Sequence, residues 1–213
     1  MKTLSTKIGV LGTGNVGFAV ATPFIAHQFP LKFGTRKADK LTPELLEKHD
    51  KSFYASPREV AQWADVVILA IPSDACISVT NSLREDLKGK VVVDMTNPLK
   101  FDDDGVTWDP PKGAASITEL LQTSFPELHF VKAYNSFGLE NMFEPKKTDL
   151  LICGNHQPAK NIIAEISNSV GYQTRDVGPV RYAGQLENLC VLWVQLAMFK
   201  KAGLKWTFKI SND

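Results

Sequence analysis

Directly after a short apolar run, the chain reads Gly12-Thr13-Gly14-Asn15-Val16-Gly17. Where such a spacing joins a strand to a helix, each glycine has its own task. The first makes the tight turn, the second lets backbone approach a phosphate, and the third lets the helix lie close on the strand. The helix N-terminus then presents free N–H groups and its positive dipole end to an anion. The ligand that fits is the pyrophosphate of a dinucleotide. Roughly 20 residues further on, where a carboxylate would take the ribose 2′-hydroxyl of NAD, the segment is Phe33-Gly34-Thr35-Arg36-Lys37-Ala38-Asp39-Lys40. A carboxylate there would repel a 2′-phosphate, whereas the planar guanidinium of Arg36 can take one bidentately. Thr35 adds a neutral donor, and Lys37 or Lys40 adds charge. The expected ligand is therefore NADP(H).

No acid–base or nucleophilic constellation accompanies this cradle, and no catalytic residue is assigned. His27, His49, His129 and His156 are scattered and read as structural or solvated. Asp102, Asp103 and Asp104 form a charge run in a long loop, which is usually solvated. Trp108 in the same loop either covers a ring ligand or packs. Cys76, Cys153 and Cys190 lie far apart, with no spacing that suggests a metal or a redox disulfide. They read as free thiols, and no metal site is expected.

The elements that position the cradle follow from apolar patterning. Continuous apolar runs mark strands at Lys7–Leu11, Leu31–Gly34, Asp65–Ile71 and Lys90–Asp94, with a brief one at Ser52–Ala55. Further strands are expected at His129–Tyr134, Asp149–Cys153 and Tyr172–Val177. Helices are predicted from Asn15 to His27, from Thr42-Pro43-Glu44 onward, and from Ser56-Pro57 to Trp63. Another is predicted through Leu87 with Ser73 or Asp74 as its cap, and others at Ser116–Leu121 and Pro158–Val170. Pro23 should kink or shorten the first helix. The stretch Leu99–Ala114 reads as a loop. The alternation gives an α/β, doubly wound parallel sheet of Rossmann type covered on both faces.

After Gly178-Pro179 only helix follows. Residues 1–178 are expected to form the dinucleotide-binding domain and 179–213 a small helical extension. There, Leu186, Leu189, Cys190, Trp193, Leu196 and Ala197 form an apolar stripe, and Val191, Leu192, Val194, Met198 and Phe199 fill much of the rest. A helix apolar nearly all round must be covered on more than one side. A homodimer through these helices is the expected second cover. With 24 Lys+Arg against 23 Asp+Glu, the net charge is +1, which favours neither a nucleic-acid nor a membrane partner. Met1 to Lys7 is short and polar, and no apolar run reaches the roughly 18 residues a membrane span needs. The expected location is cytoplasmic.

The cradle, then Gly34-Thr-Arg with Lys40, Leu69-Ala-Ile-Pro72, Lys132-Ala-Tyr-Asn135, Asp176-Val-Gly-Pro179 and Leu186-Glu-Asn188 follow in order. In this the chain resembles the NADP oxidoreductases that use the deazaflavin coenzyme F420. It is also similar to the cytosolic reductase domain of STEAP-type metalloreductases. The resemblance implies a Rossmann domain with a small C-terminal helical piece, and direct hydride transfer from nicotinamide to a flavin-like ring. It implies that Thr13 to Val16 line the pyrophosphate and that Thr35, Arg36 and Lys40 take the 2′-phosphate. Ile71, Pro72 and the loops around Asn97 and Ala133 would flank the ribose and nicotinamide. Ser73 stands where the deazaflavin enzymes tend to carry tryptophan, so the small-molecule acceptor is left open among FAD, FMN, F420, another quinonoid molecule and an ordinary carbonyl or imine. The competing readings are an imine or β-hydroxyacid reductase and a non-catalytic NADPH-sensing protein.

Overall fold

The apolar tetrads of β1 (Ile8–Leu11) and β4 (Val66–Leu69) are buried at every residue, as strands sheathed on both faces must be. The computed structural model describes residues 5–38, 41–146 and 148–211. Four further strands join these two: β2 (Leu31–Gly34), β3 (Tyr54–Ala55), β5 (Val91–Asp94) and β8 (His129–Lys132). All pair in parallel, in the order β3-β2-β1-β4-β5-β8. The chain starts at the centre, runs outward to β3, and returns to β4 on the other side of β1. The strand order thus reverses between β1 and β4, and their carboxyl ends open a crevice there.

One core layer joins Phe18, Val20 and Phe24 of α1 (Asn15–Ala26) to Val10, Phe33 and Val131 of the sheet, and to Ile163 and Ile166 of α8 (Gln157–Ser169). The other joins Val60 and Ala61 of α3 (Pro57–Trp63) and Leu121 of α6 (Ile117–Ser124) to Leu11, Leu69 and Phe130. The Ser56-Pro57 start of α3 is a full capping box: Ser56 Oγ accepts from the Glu59 amide at 3.3 Å, and Glu59 Oε2 accepts from the Ser56 amide at 2.8 Å. A short helix α2 (Pro43–Lys48) begins at the proline expected to start it.

Several expectations are corrected. The predicted helix up to Leu87 is broken into a 3₁₀ turn at Ser73–Ala75, then α4 (Cys76–Ser82) and α5 (Arg84–Leu87); neither Ser73 nor Asp74 caps it. Ser78 and Ser82 turn their hydroxyls onto the carbonyls of Ala75 and Val79, in the local competition with helix geometry expected of serine. The stretch Leu99–Ala114 is not all loop: β6 (Leu99–Phe101) and β7 (Val106–Trp108) form an antiparallel ribbon. Asp102 caps its turn by accepting from the amides of Asp104 and Gly105. Among the described residues, the strands β9 (Asp149–Ile152) and β10 (Gln173–Asp176) pair only with each other, joined to β8 by the single Lys132–Cys153 bridge. The partly exposed Gln-Thr-Arg-Asp of β10 could not serve as a strand covered on both faces. α1 continues past Pro23 to Ala26, so the proline neither ends it at once nor moves its start.

Beyond β8 lie the short α7 (Leu139–Phe143) and, after a 3₁₀ turn, α9 (Ala183–Val194), which passes into a π-helical turn at Gln195–Phe199. The remaining described chain is an irregular tail. Its Trp206 stacks on Trp193 at 5.7 Å, and the Ile210 amide donates to Asp149 Oδ2 at 2.6 Å. Among the described residues, no helix is long and apolar enough to cross a membrane.

Candidate functional site

The glycine loop has the geometry its sequence demands. Gly12 sits at φ +123°, where a Cβ would be strained and would also run into the Ala70 carbonyl. A Cβ on Gly17 would strike the Gly12 carbonyl, so this glycine sets the close approach of α1 to β1. Gly14 is different: a Cβ there would meet nothing within 4 Å. It is the N-cap of α1 without a side-chain cap, and beyond it Asn15 and Val16 face solvent. The first-turn amides are therefore left to an outside acceptor, as an anion cradle requires. Thr13 is half-buried in the same turn.

Thr35 and Arg36 follow β2 immediately, in an open recess of about 630 Å³ shared with Lys32, Ser56 and Glu59. Arg36 is exposed, and Thr35 Oγ1 accepts from the Lys37 amide at 3.4 Å. Glu59 does not close this recess to an anion by itself: its carboxylate is engaged as the α3 cap. The Ser56 hydrogen bonds hold it below the usual carboxylate range. Lys40 lies outside the described residues.

From the cradle a cleft of about 640 Å³ runs along the carboxyl ends of the central strands. Ile71, Pro72 and Asn97 line it. Ala133 does not. It is fully buried, with its amide bonded to the Asp94 carbonyl at 3.2 Å, and the wall is formed by the next residues, Tyr134 and Asn135. Tyr134 is held at φ +59°, rare for a bulky residue. Its phenol is buried against Ser167, and burial pushes its pKa up. The far wall is apolar: Met95, Phe137, Met142, Cys190, Trp193 and Met198. Trp193 fits because residue 138 is glycine; a Cβ there would occupy the space of its ring. The aromatic wall is thus supplied by α9 and the loop after β8, whereas Ser73 is not among the lining residues. Glu140 is the one charged residue among those lining the cleft.

Patterning did not reveal the cluster behind this wall. Lys132 is completely buried, and its Nζ donates to Asp94 Oδ2 at 3.1 Å, Glu187 Oε1 at 3.0 Å and the Thr96 carbonyl at 2.5 Å. Asp94 also accepts from the Thr96 amide (2.9 Å) and hydroxyl (2.7 Å) and from the Thr118 hydroxyl (2.6 Å). Glu187 accepts from the Ile117 amide at 3.0 Å and from Trp108 Nε1 at 2.9 Å. Burial alone would lower the Lys132 pKa, but Asp94 and Glu187 outweigh it and hold the ammonium above its ordinary 10.5. Its contribution to stability is therefore complete below pH 10.5 and fades only as pH rises beyond. One ammonium thus ties together β5, β8 and α9. Trp108 packs into this knot through Glu187 and does not line the cleft.

The remaining titratable groups offer little chemistry. Burial pushes the thiols of Cys76, Cys153 and Cys190 up to about 12, so they stay protonated near neutrality. His156 caps α8, its Nδ1 accepting from the Ala159 amide at 3.3 Å, and stacks on His129 at 3.7 Å. His49 stacks on Phe33 and Phe53, and His27 bonds the Pro23 carbonyl. Among the described residues no group of three or more His, Cys, Asp or Glu is placed to hold a metal.

With this geometry in hand, comparison with known proteins is specific. Residues 7–98 match the family model of "NADP oxidoreductase coenzyme F420-dependent". The chain is 30% identical over 207 residues to the F420-dependent NADP reductase of Methanocaldococcus jannaschii, covering 89% of this chain and 92% of that protein. A crystal structure from Arthrobacter sp. FB24, named after F420-dependent NADP reductases, superposes with a TM-score of 0.86 at 28% identity, covering 98% of this chain and 100% of that one. The chain is also 26% identical over 187 residues to the metalloreductase STEAP3 of Rattus norvegicus, spanning 85% of this chain but 36% of that protein.

Proposed function

The chain belongs to the family of coenzyme F420-dependent NADP oxidoreductases, and from that premise we propose that it passes hydride between NADP(H) and a flavin-like ring, F420 being the first acceptor to test. It is an NADP-dependent oxidoreductase. The observation that carries the choice of a ring acceptor is the cleft: about 640 Å³, walled by Trp193, Phe137 and methionines, and continuous with the glycine cradle. Its volume lies in the range of small-molecule sites.

When bound, NADPH would supply the hydride and become NADP+, and the reduced acceptor would take up one further proton from bulk solvent. The chain's own residues bind, orient and exclude solvent. Gly14 and the first-turn amides of α1 receive the pyrophosphate, and Thr35 and Arg36 receive the 2′-phosphate. Ile71 and Pro72 bound the middle of the cleft, and the apolar wall keeps the reacting faces dry. Direct transfer between stacked rings needs proximity and orientation more than an acid or a base. A cleft with buried phenol and thiol groups held protonated suits that chemistry.

The decisive experiment follows NADPH oxidation with F420, FMN, FAD, a quinone and a cyclic imine as alternative acceptors. Turnover with a ring acceptor and none with the imine is expected. Turnover with the imine alone overturns the reading.

A further inference from the structure

The knot behind the cleft wall does not balance its charge. Both Glu187 oxygens face N–H donors: Oε1 the Ile117 amide and Lys132 Nζ, Oε2 the Trp108 indole. Such groups only donate, so Glu187 stands as a carboxylate. Asp94 accepts in the same way, from the Thr96 amide at Oδ1 and from Lys132 Nζ at Oδ2. The Thr96 and Thr118 hydroxyls also donate to it. Two carboxylates thus share one ammonium, and all three side chains are completely buried. The excess is one negative charge. It is offset only in part by the N-terminal dipole of α6, whose Ile117 amide ends on Glu187.

That charge lies directly behind the lining. Thr96 lines the cleft, and the same residue gives its hydroxyl to Asp94 and its carbonyl to the ammonium. Cys190 lines it too, and its thiol feels burial first and then the charges of Lys132 and Glu187. The lining holds no cation to cancel the excess, its one charged residue being the exposed carboxylate Glu140. An apolar wall screens weakly, so a buried charge acts across it. Loss of hydride turns the neutral dihydropyridine of NADPH into the pyridinium cation of NADP+, the C–H electron pair leaving with the hydrogen for the acceptor ring. We propose that the excess charge of the Asp94–Lys132–Glu187 knot favours the cationic over the neutral ring in the cleft, and so makes bound NADPH a stronger hydride donor. The proposal rests on the NADP(H) reading, and it needs the ring to lie in this cleft without fixing its pose. Besides holding the wall, the three residues then tune the cofactor through their field, touching no ligand themselves.

The test is the ratio of affinities for NADP+ and NADPH by isothermal titration calorimetry, with 2′,5′-ADP as a ligand that lacks the ring. One net charge acts across a side-chain layer through an effective dielectric of about 20, less the helix offset. The native protein should therefore bind NADP+ about 3- to 10-fold more tightly than NADPH. Tenfold corresponds to about 30 mV in the potential of the bound two-electron couple. Two variants move the charge in opposite directions. Glu187→Gln, combined with Trp108→Phe so that no indole N–H faces the new amide, neutralises the knot and should abolish the preference. Lys132→Met doubles the excess and should widen it. Trp108→Phe alone should leave it as in the native protein. A loosened wall would shift both charge variants the same way, so opposite shifts are the signature of the field. Equal or tighter binding of NADPH by the native protein overturns the proposal, whether or not any variant folds. So does a ratio that both variants leave unmoved or move in one direction. Should 2′,5′-ADP itself fail to bind the native protein, the NADP(H) reading falls, and this inference with it.

Discussion

The two halves of the cleft are built on opposite plans. The cradle half is made of backbone and exposed side chains: Gly12 and Gly17 set the turn, α1 offers uncapped amides, and Arg36 waits at the surface. The acceptor half is made of buried side chains locked to one another: Lys132 between Asp94 and Glu187, and Trp193 lying against Gly138. The first must admit and release a charged ligand, so its groups are solvated until the ligand arrives. The second must hold a flat apolar wall in one place, and an ionic knot behind the wall does so without placing charge inside it. The difference predicts that damage to one half is felt as lost affinity and damage to the other as lost stability.

The largest effect is expected from Lys132→Met. It leaves two carboxylates buried without their counter-ion, a loss of about 3–5 kcal/mol. For a chain of this size that lowers Tm by roughly 10 °C. Affinity for 2′,5′-ADP in the folded variant should be unchanged, because the ligand reaches only the cradle. Thermal unfolding and calorimetry on the same preparation read both. A Tm within about 2 °C of the native protein would mean the knot is not what holds this half together.

The same contrast explains what was legible in the sequence. The cradle lies within one β1–α1–β2 unit. Its glycines, strand ends and basic pair are neighbours along the chain, and local spacing reveals them. The knot joins residues 38 and 55 positions apart, Lys132 with Asp94 and with Glu187. Strand patterning registers Asp94 only as the end of an apolar run, and Glu187 as a lone charge on an apolar helix. A charged residue inside such a helix was the available signal, since it must find a buried partner. The ribbon β6–β7 was hidden for a related reason. It is held by contacts with α9 and the π-helical turn after it, such as Trp108 Nε1 to Glu187 Oε2 at 2.9 Å and the Val106 amide to Gln195 Oε1 at 3.1 Å, and not by its own weak pattern. Ala133 was placed one residue short of the wall because a motif gives a position along the chain without saying which side chain turns inward. The separation of β9 and β10 from the main sheet was likewise invisible to a count of strands.

A smaller effect, on the other observable, is expected from Arg36→Ala. Arg36 stands exposed in the recess beside Thr35. Removing a charged hydrogen-bond donor to the 2′-phosphate should weaken NADPH binding by about 1.5–3 kcal/mol. Tm should stay put and NADH affinity should hardly change, so the native preference for NADPH should narrow sharply. Parallel NADPH and NADH titrations at fixed salt decide it. Equal affinity of the native protein for the two would remove Arg36 from the role altogether.

The smallest effect concerns acid, and two histidines outside the cleft lining report it. His49 stacks between Phe33 and Phe53 beside the cradle, and burial followed by the charge of Lys48 lowers its pKa from 6.5. His129, at the start of β8, stacks on His156, and burial followed by the charge of His156 lowers it likewise. For both groups the unfolded chain takes up a proton at a pH where the folded chain does not. Stability should therefore fall as pH drops below about 6.5 and level off once the folded imidazoles are also protonated. Replacing either by Phe keeps a ring in the stack and removes the titration. His49→Phe should flatten the Tm–pH curve below pH 6.5, and His129→Phe should do the same. Hydrogen exchange then locates the response: at acid pH the native protein should open first around β2 and β3 if His49 dominates, and around α8 if the His129–His156 stack does. A Tm–pH curve identical in both variants and the native protein would show that the acid response does not come from these rings.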